Sequence, residues 1–297
     1  MTAPLVRRAA AVFNPASGAG TYKRDFPLII SSLRALGIDI VEMATEHEGH
    51  ATELARAAVA EGFEAVIAIG GDGTVNEVVN GLAGSEVPLA IIPTGTVNVL
   101  ALELGIPLDP PDACKALVKG TISWIDLGLA GDRYFALMAG IGVDAAVIAS
   151  MTPALKRTLR EAAFFVQGVA TFLTHEDPML RVVADEAVME GYFVVIGNSA
   201  NYGGVFGITP LADMRDGLLD VCVLKDRSFL STAWYWLTAL ASSPVQHPGV
   251  EYFRTRSVAI SAVDENHEVL VQTDGEVVGK LPIVCRIAPR ALRVIVP

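Results

Sequence analysis

The chain has 297 residues, 52% of them hydrophobic and 19% charged, which is material for one large domain or two ordinary ones and excludes a disordered chain. Its 22 basic residues are outnumbered by 33 acidic ones, giving a net charge of -11. That balance excludes a general nucleic-acid binder and anchoring to an acidic membrane through overall charge, because both rest on clustered Lys and Arg.

The first third alternates strand and helix. Ala9 to Phe13 reads as a buried strand entering a loop at Asn14-Pro15, followed by a helix from about Arg24 to Leu36 that Gly37 ends. Ile38–Met43 is the next strand and Thr52–Ala60 the next helix. Ala65–Ile69 is apolar without a break, as a strand covered on both faces must be. A helix over Asn76–Leu82 and a strand over Leu89–Ile92 follow. Asp109-Pro110 then opens a further helix that Gly120 closes. This alternation predicts an α/β domain over residues 1–125 built on a doubly wound parallel sheet.

The pattern then changes. Shorter strands come closer together at Trp124–Leu129, Arg133–Met138, Leu180–Ala184, Val188–Ile196, Leu219–Leu224, Ser257–Ser261, Val269–Thr273 and Val284–Ile287. Gly131-Asp132 and Asp274-Gly275 suit hairpin turns. A second, mainly antiparallel β domain over 126–289 is expected, with helical insertions at Ala154–Leu173 and Phe229–Ala241. The final strand, about 290–297, returns to the first domain. Cys114, Cys222 and Cys285 show neither metal nor redox spacing and read as small buried residues of a reducing compartment. The N-terminal stretch has no signal-peptide organisation, and no apolar run is long enough to span a bilayer, so a cytoplasmic protein is expected.

The strongest local signal is Gly70-Gly71-Asp72-Gly73-Thr74, directly after a buried strand and before a helix. Glycines there let backbone N–H groups approach an anion, and the helix N-terminus adds its own unpaired donors and positive dipole end. Two companion loops, Asn14-Pro15-Ala16-Ser17-Gly18-Ala19-Gly20 and Pro93-Thr94-Gly95-Thr96-Val97-Asn98, also follow buried strands. Three such loops at strand carboxyl ends point to one nucleotide crevice. The Walker lysine motif, the protein-kinase motifs and the dinucleotide fingerprint are all absent from the sequence. His47, His50, His175, His247 and His267 share no metal-binding spacing.

With these loops in place, the chain resembles the diacylglycerol kinase catalytic superfamily, which includes bacterial lipid kinases, sphingosine kinases and ceramide kinases. The resemblance continues through Asp126-Leu127-Gly128, Arg133-Tyr134-Phe135, Gly140-Ile141-Gly142-Val143-Asp144, the turn from Pro210 through Asp216-Gly217 to Asp220, and Asp274-Gly275-Glu276. It implies ATP as phosphoryl donor and Mg2+ as metal. Gly70, Gly71, Asp72, Gly73, Thr74 and Asn76 would cradle the phosphates. Asn14, Ser17, Thr45, Gly95 and Thr96 would complete the nucleotide site. Glu276 would be the general base that takes the proton of a lipid hydroxyl. Asp216, with main-chain oxygens of Asp213 and Leu218, resembles the family's second magnesium site, and Asp126 would join its acidic network.

One departure stands out. Many bacterial members place an acid after the asparagine of the third loop, whereas Asn98 is followed here by Val99, whose side chain can neither accept a hydrogen bond nor hold a metal-linked water. The metal network is thinner for it, and Asp72 is left to carry more of the proton or metal work. Trp234-Tyr235-Trp236 and the basic cluster Lys156–Arg160 offer places for transient contact with a membrane surface. The implied partner is a lipid alcohol and not nucleic acid, with a homodimer compatible with the reading. The competing readings are an NAD kinase, which shares the Gly-Gly-Asp-Gly loop, and a binding regulator without catalysis.

Overall fold

The structure is a computed structural model and describes residues 4–16, 21–142, 178–185, 187–200, 207–226 and 248–297. The expected helices at 154–173 and 229–241, with their basic and aromatic clusters, lie outside the described residues, as does Ser17. The chain divides into two compact units, one of residues 1–127 with 288–297 and the other of residues 128–287.

In the first unit, β1 (Arg8–Phe13), β2 (Asp39–Ala44), β3 (Ala65–Gly70) and β4 (Leu89–Pro93) form a parallel sheet in the order β2-β1-β3-β4. The long last strand β16 (Ile283–Val296) joins it beside β4, pairing Val294 with Leu89 in parallel. β1, β3 and β4 are buried almost throughout, as their unbroken apolar runs require. The crossovers are α1 (Thr21–Ala35), α2 (His50–Ala60) and α3 (Asp72–Leu82), followed by α4 (Val99–Glu103) and α5 (Pro110–Lys119). α2 and α3 lock together because Ala51 N–H and Thr52 Oγ1 donate to the Glu77 side chain and carbonyl at 2.9 and 2.8 Å.

Two details differ from the sequence expectation. α3 begins at Asp72 rather than near Asn76, so Gly73 and Thr74 form its first turn. Gly71, extended at φ -94°, is the cap residue, and Asp72 puts a negative charge at the positive helix end. α4 was not anticipated, and its five residues are too few to leave a periodic pattern.

The second unit is antiparallel. β7 (Met138–Ile141), β10 (Phe193–Gly197), β11 (Leu219–Leu224), β12 (Val250–Thr255), β14 (Leu270–Thr273) and β15 (Glu276–Lys280) make one sheet in the order β12-β11-β10-β7-β14-β15. β8 (Leu180–Ala184), β9 (Ala187–Gly191) and β13 (Ser257–Ala262) pair with the first part of β16. β5 (Thr121–Ala130) ends in a hairpin with β6 (Arg133–Phe135). Side chains from both groups of strands, among them Phe135, Ile141, Val182, Val194, Val221, Val258, Val271 and Cys285, share one buried core. Two expected strands are each divided. Arg133–Met138 breaks at Ala136-Leu137, and Val188–Ile196 breaks at Tyr192, between β9 and β10. β12 and β15 were not foreseen.

Candidate active site

The first unit carries the glycine-rich loops. β3 ends at Gly70 and β4 at Pro93, with Thr94 N–H donating to Gly70 O at 3.0 Å to carry the pairing past the strand ends. Beyond that point the two loops meet backbone to backbone. A Cβ on Gly95 would come within 2.5 Å of Gly71 Cα, and one on Gly71 within 3.1 Å of Gly95 Cα. Gly95 therefore needs glycine for the protein's own packing before any ligand is considered, and Gly71 is in tight contact with it.

Asn98 holds the third loop closed. Its Oδ1 accepts Gly95 N–H at 2.9 Å, its Nδ2 donates to Gly95 O at 3.0 Å, and its backbone is left-handed at φ 59°. The Asp72 carboxylate straps this loop to α3, accepting Asn98 N–H at 3.0 Å on Oδ2 and Val99 N–H at 2.6 Å on Oδ1. Burial raises the Asp72 pKa above the ordinary carboxylate value, opposed chiefly by the N–H groups of Val99 and Asn98.

The other expected nucleotide residues are placed as follows. Gly73, Gly95 and Thr96 are exposed, and Thr74 is half-buried on the first turn of α3. Asn14 forms a local turn through Ala16 N–H, 2.8 Å from its Oδ1. Thr45 N–H pairs with Phe13 O at 2.8 Å, at the end of β2. Asn76 is buried, and its Oδ1 accepts Asn80 Nδ2 at 3.0 Å within α3. Asp126 is buried too, with Oδ1 accepting Arg290 N–H at 2.6 Å.

The second unit carries the expected base. Thr273 and Glu276 close the β14–β15 hairpin across Asp274 (φ 48°) and Gly275 (φ 87°). Positive φ at both central residues is the geometry of a type I′ turn, which matches the right-handed twist of the strands. The Asp274 carboxylate reaches under the β6–β7 connection. There it accepts Ala136 N–H on Oδ2 at 2.7 Å, and Leu137 and Met138 N–H on Oδ1 at 3.0 and 2.9 Å. This is why the predicted Arg133–Met138 strand breaks: those N–H groups serve a side chain instead of a ladder. Burial pushes Asp274 up to about 6 despite the three N–H groups that lower it, and the nearby Glu276 charge adds to the rise. Glu276 itself accepts Arg133 Nη2 at 2.7 Å, a partner that sequence reasoning missed although Arg133 stands in a quoted motif.

The Pro210–Asp220 segment forms a turn stapled by its own acids. Asp213 Oδ1 accepts Arg215 N–H, and Asp216 Oδ1 accepts Leu218 N–H, both at 3.0 Å. Asp220 is fully buried on β11, where Tyr252 Oη donates to its Oδ1 at 2.5 Å and Arg254 Nε at 3.2 Å. Arg254 also lies 3.6 Å from Asp216 Oδ2 and donates to Leu211 O at 2.7 Å. Burial raises the Asp220 pKa, and the Tyr252 hydroxyl and the Arg254 charge oppose it. A carboxylate and nearby carbonyl oxygens are donors of the kind a hard cation takes, so Asp216, Asp213 and Leu218 fit magnesium in donor chemistry, with the Arg254 charge competing.

Among the described residues, one group of three side chains could share an ion: His47, His50 and Glu53. His50 Nδ1 accepts Glu46 N–H at 3.0 Å, which places its ring proton on Nε2 and removes that nitrogen as a ligand. This leaves two donors, fewer than a metal site needs. No helix of the described residues is long and apolar enough to cross a membrane.

Doubly wound sheet, glycine loops and β second unit define a class of phosphotransferase, and the comparisons agree. Residues 8–130 match the diacylglycerol kinase catalytic domain, and residues 138–296 match the YegS C-terminal NAD kinase beta sandwich-like domain. A diacylglycerol kinase of Staphylococcus aureus is 30% identical over 93% of this chain and 88% of its own, and one of Staphylococcus saprophyticus is 29% identical over 93% and 91%. A crystal structure from Bacillus anthracis, assigned to the diacylglycerol kinases, superposes with a TM-score of 0.82 at 26% identity over 98% of this chain and 96% of that one. The chain belongs to the diacylglycerol kinase catalytic family and is a kinase.

Proposed function

We propose that the protein transfers the γ-phosphoryl group of ATP to the hydroxyl of a lipid alcohol, of the diacylglycerol or sphingoid-base type. The observation that carries this reading is the Asp274-Gly275-Glu276 turn. Three N–H groups clamp its first acid, and its second acid is held at a carboxylate–guanidinium contact of 2.7 Å. The names and extent of the relatives support it.

Phosphoryl transfer asks little covalent chemistry of a protein and depends on positioning and charge. Donor phosphates would lie at the N-terminus of α3, on the N–H groups after Gly71. Glu276 would accept the proton of the attacking hydroxyl as its oxygen bonds to the γ-phosphorus, and the bond to the bridging oxygen breaks to release ADP. Asp72, with both oxygens on main-chain N–H groups, would keep the two phosphate loops together, with Glu276 as the base. Bound magnesium would neutralise charge, with Asp216 and the carbonyl oxygens of Asp213 and Leu218 as its holders. A lipid substrate implies transient contact with a membrane surface.

A second reading, phosphorylation of NAD, draws on the likeness of residues 138–296 to an NAD kinase sandwich. Both are tested with radiolabelled ATP and magnesium over diacylglycerol, monoacylglycerol, a sphingoid base and phosphatidylglycerol in mixed micelles, run beside NAD. Label in a lipid that disappears with Glu276→Gln is the expected result. Label in NADP alone replaces this reading with the second, and ATP binding without transfer points to a regulator.

A further inference from the structure

Arg133 and Glu276 are 143 residues apart in the chain, and Arg133 Nη2 donates to Glu276 Oε2 at 2.7 Å. We propose that Arg133 is a positioning residue for Glu276, fixing the carboxylate in the orientation in which it takes the proton. The proposal rests on Glu276 acting as the base.

Both backbones are held independently of the pair. Arg133 closes the β5–β6 hairpin opposite Ala130. Gly131 N–H donates to Val284 O at 3.2 Å, and Phe135, two residues on, is fully buried in the core. Glu276 closes the type I′ turn opposite Thr273, with Asp274 tied to the β6–β7 connection. The two main chains thus stay fixed relative to each other, and the long Glu276 side chain has torsions of its own to set. The ion pair with Arg133 restricts those torsions. The pair is sheltered, with side-chain exposures of 28% for Arg133 and 34% for Glu276, so water and salt screen it less than a surface pair. Arg133 Nε is buried and meets no acceptor among the described residues.

The chemistry suits an arginine. A guanidinium stays protonated at every working pH, so it can orient a carboxylate without competing to give up or take a proton. Its planar fork also fixes direction, which a lysine ammonium does not. Asp274, beside Glu276, carries the same sign of charge and is itself held by three N–H groups, so it cannot perform this task.

The test compares wild type, Arg133→Met, Arg133→Lys, Glu276→Gln and the double variant Arg133→Met/Glu276→Gln, on the lipid of the panel above that wild type labels. Thermal midpoints are recorded for each. Expected are a fall in kcat of roughly 100-fold for Arg133→Met with KM for ATP unchanged, partial recovery in Arg133→Lys, and a double variant no slower than Glu276→Gln alone. Wild-type kcat in Arg133→Met, or a double variant much slower than Glu276→Gln, overturns the positioning role. If Arg133→Met does not fold, Arg133→Lys decides: a lysine variant with unchanged kcat overturns the proposal, and one with lowered kcat and unchanged KM for ATP upholds it. Full activity in Glu276→Gln, or no labelled lipid with wild type, overturns the base reading and this proposal with it.

Discussion

Asp72 and Val99, 27 residues apart, are joined by a 2.6 Å hydrogen bond in which the valine main-chain N–H donates to the aspartate Oδ1. By its side chain, Val99 is the departure from the bacterial pattern. Its backbone, with that of Asn98, is what the Asp72 carboxylate holds, and any residue at position 99 other than proline could supply that N–H. The loss of an acid here therefore leaves the strap between the two loops intact.

Replacing Asp72 with Asn leaves one acceptor oxygen and turns an amide group toward an N–H donor. We expect a stability loss of about 1–3 kcal/mol and weaker ATP binding. Thermal unfolding and calorimetric titration with ATP measure the two effects. A fully stable variant with unchanged ATP affinity would show that the strap is dispensable.

Gly95→Ala brings a methyl group to 2.5 Å from Gly71 Cα and 2.7 Å from Asn98 Oδ1, so the two loops must part. A cost of about 1–3 kcal/mol and at least tenfold weaker ATP binding are expected. Gly279→Ala is the control, since nothing lies within 4 Å of the added carbon. It should stay within about 0.5 kcal/mol of wild type.

Asp274 gives a pH dependence with two opposite faces. Its folded pKa, about 6, lies above the ordinary 3.8, so between those values the folded state binds more proton than the unfolded one. Its contribution to stability is therefore greatest at low pH and declines as pH rises through that window. Activity should run the other way, because the ionised carboxylate accepts the three N–H groups more strongly than the protonated acid and so holds the Glu276 turn better. We expect kcat to rise through about pH 6, with Asp274→Asn lowering kcat and removing this group's part of the stability slope. Thermal midpoints and kcat measured across that range for both proteins provide the check.

Tyr252→Phe removes the hydroxyl that donates to the buried Asp220 carboxylate. A loss of about 1.5–3 kcal/mol is expected, since the bond is to a charged acceptor. Arg254→Met should destabilise as well, because it strips the cation from Asp220 and Asp216 together. Denaturant unfolding of the two single variants and the double variant measures their coupling. Strictly additive losses would show that Asp220 is not their shared partner.

What was legible in the sequence follows from short-range rules. Ala65–Ile69 and Leu89–Ile92 could be read as buried parallel strands because unbroken apolar runs have few other uses. Asp274-Gly275 could be read as a hairpin turn because two successive positive φ values suit few residue pairs. Gly71 and Gly95 were visible as loop glycines, but their packing against each other was not. The glycine string looks like loop and so points to a helix start near Asn76, whereas Gly71 in extended conformation with Asp72 after it is a workable helix entry.

The sequence alone thus determined the class of fold, the strand–helix alternation of the first third of the chain and the candidate loops, since periodicity and turn chemistry act over a few residues. Only the tertiary structure decided that Asp72 serves main-chain N–H groups, that Asp274 interrupts a predicted strand, and that Arg133 holds Glu276. Those pairings join residues 27, 138 and 143 positions apart, and they depend on strand register and on which backbone groups the sheets leave unpaired. Contacts of that reach leave no periodic trace along the chain, so they become readable only once the strands are in place.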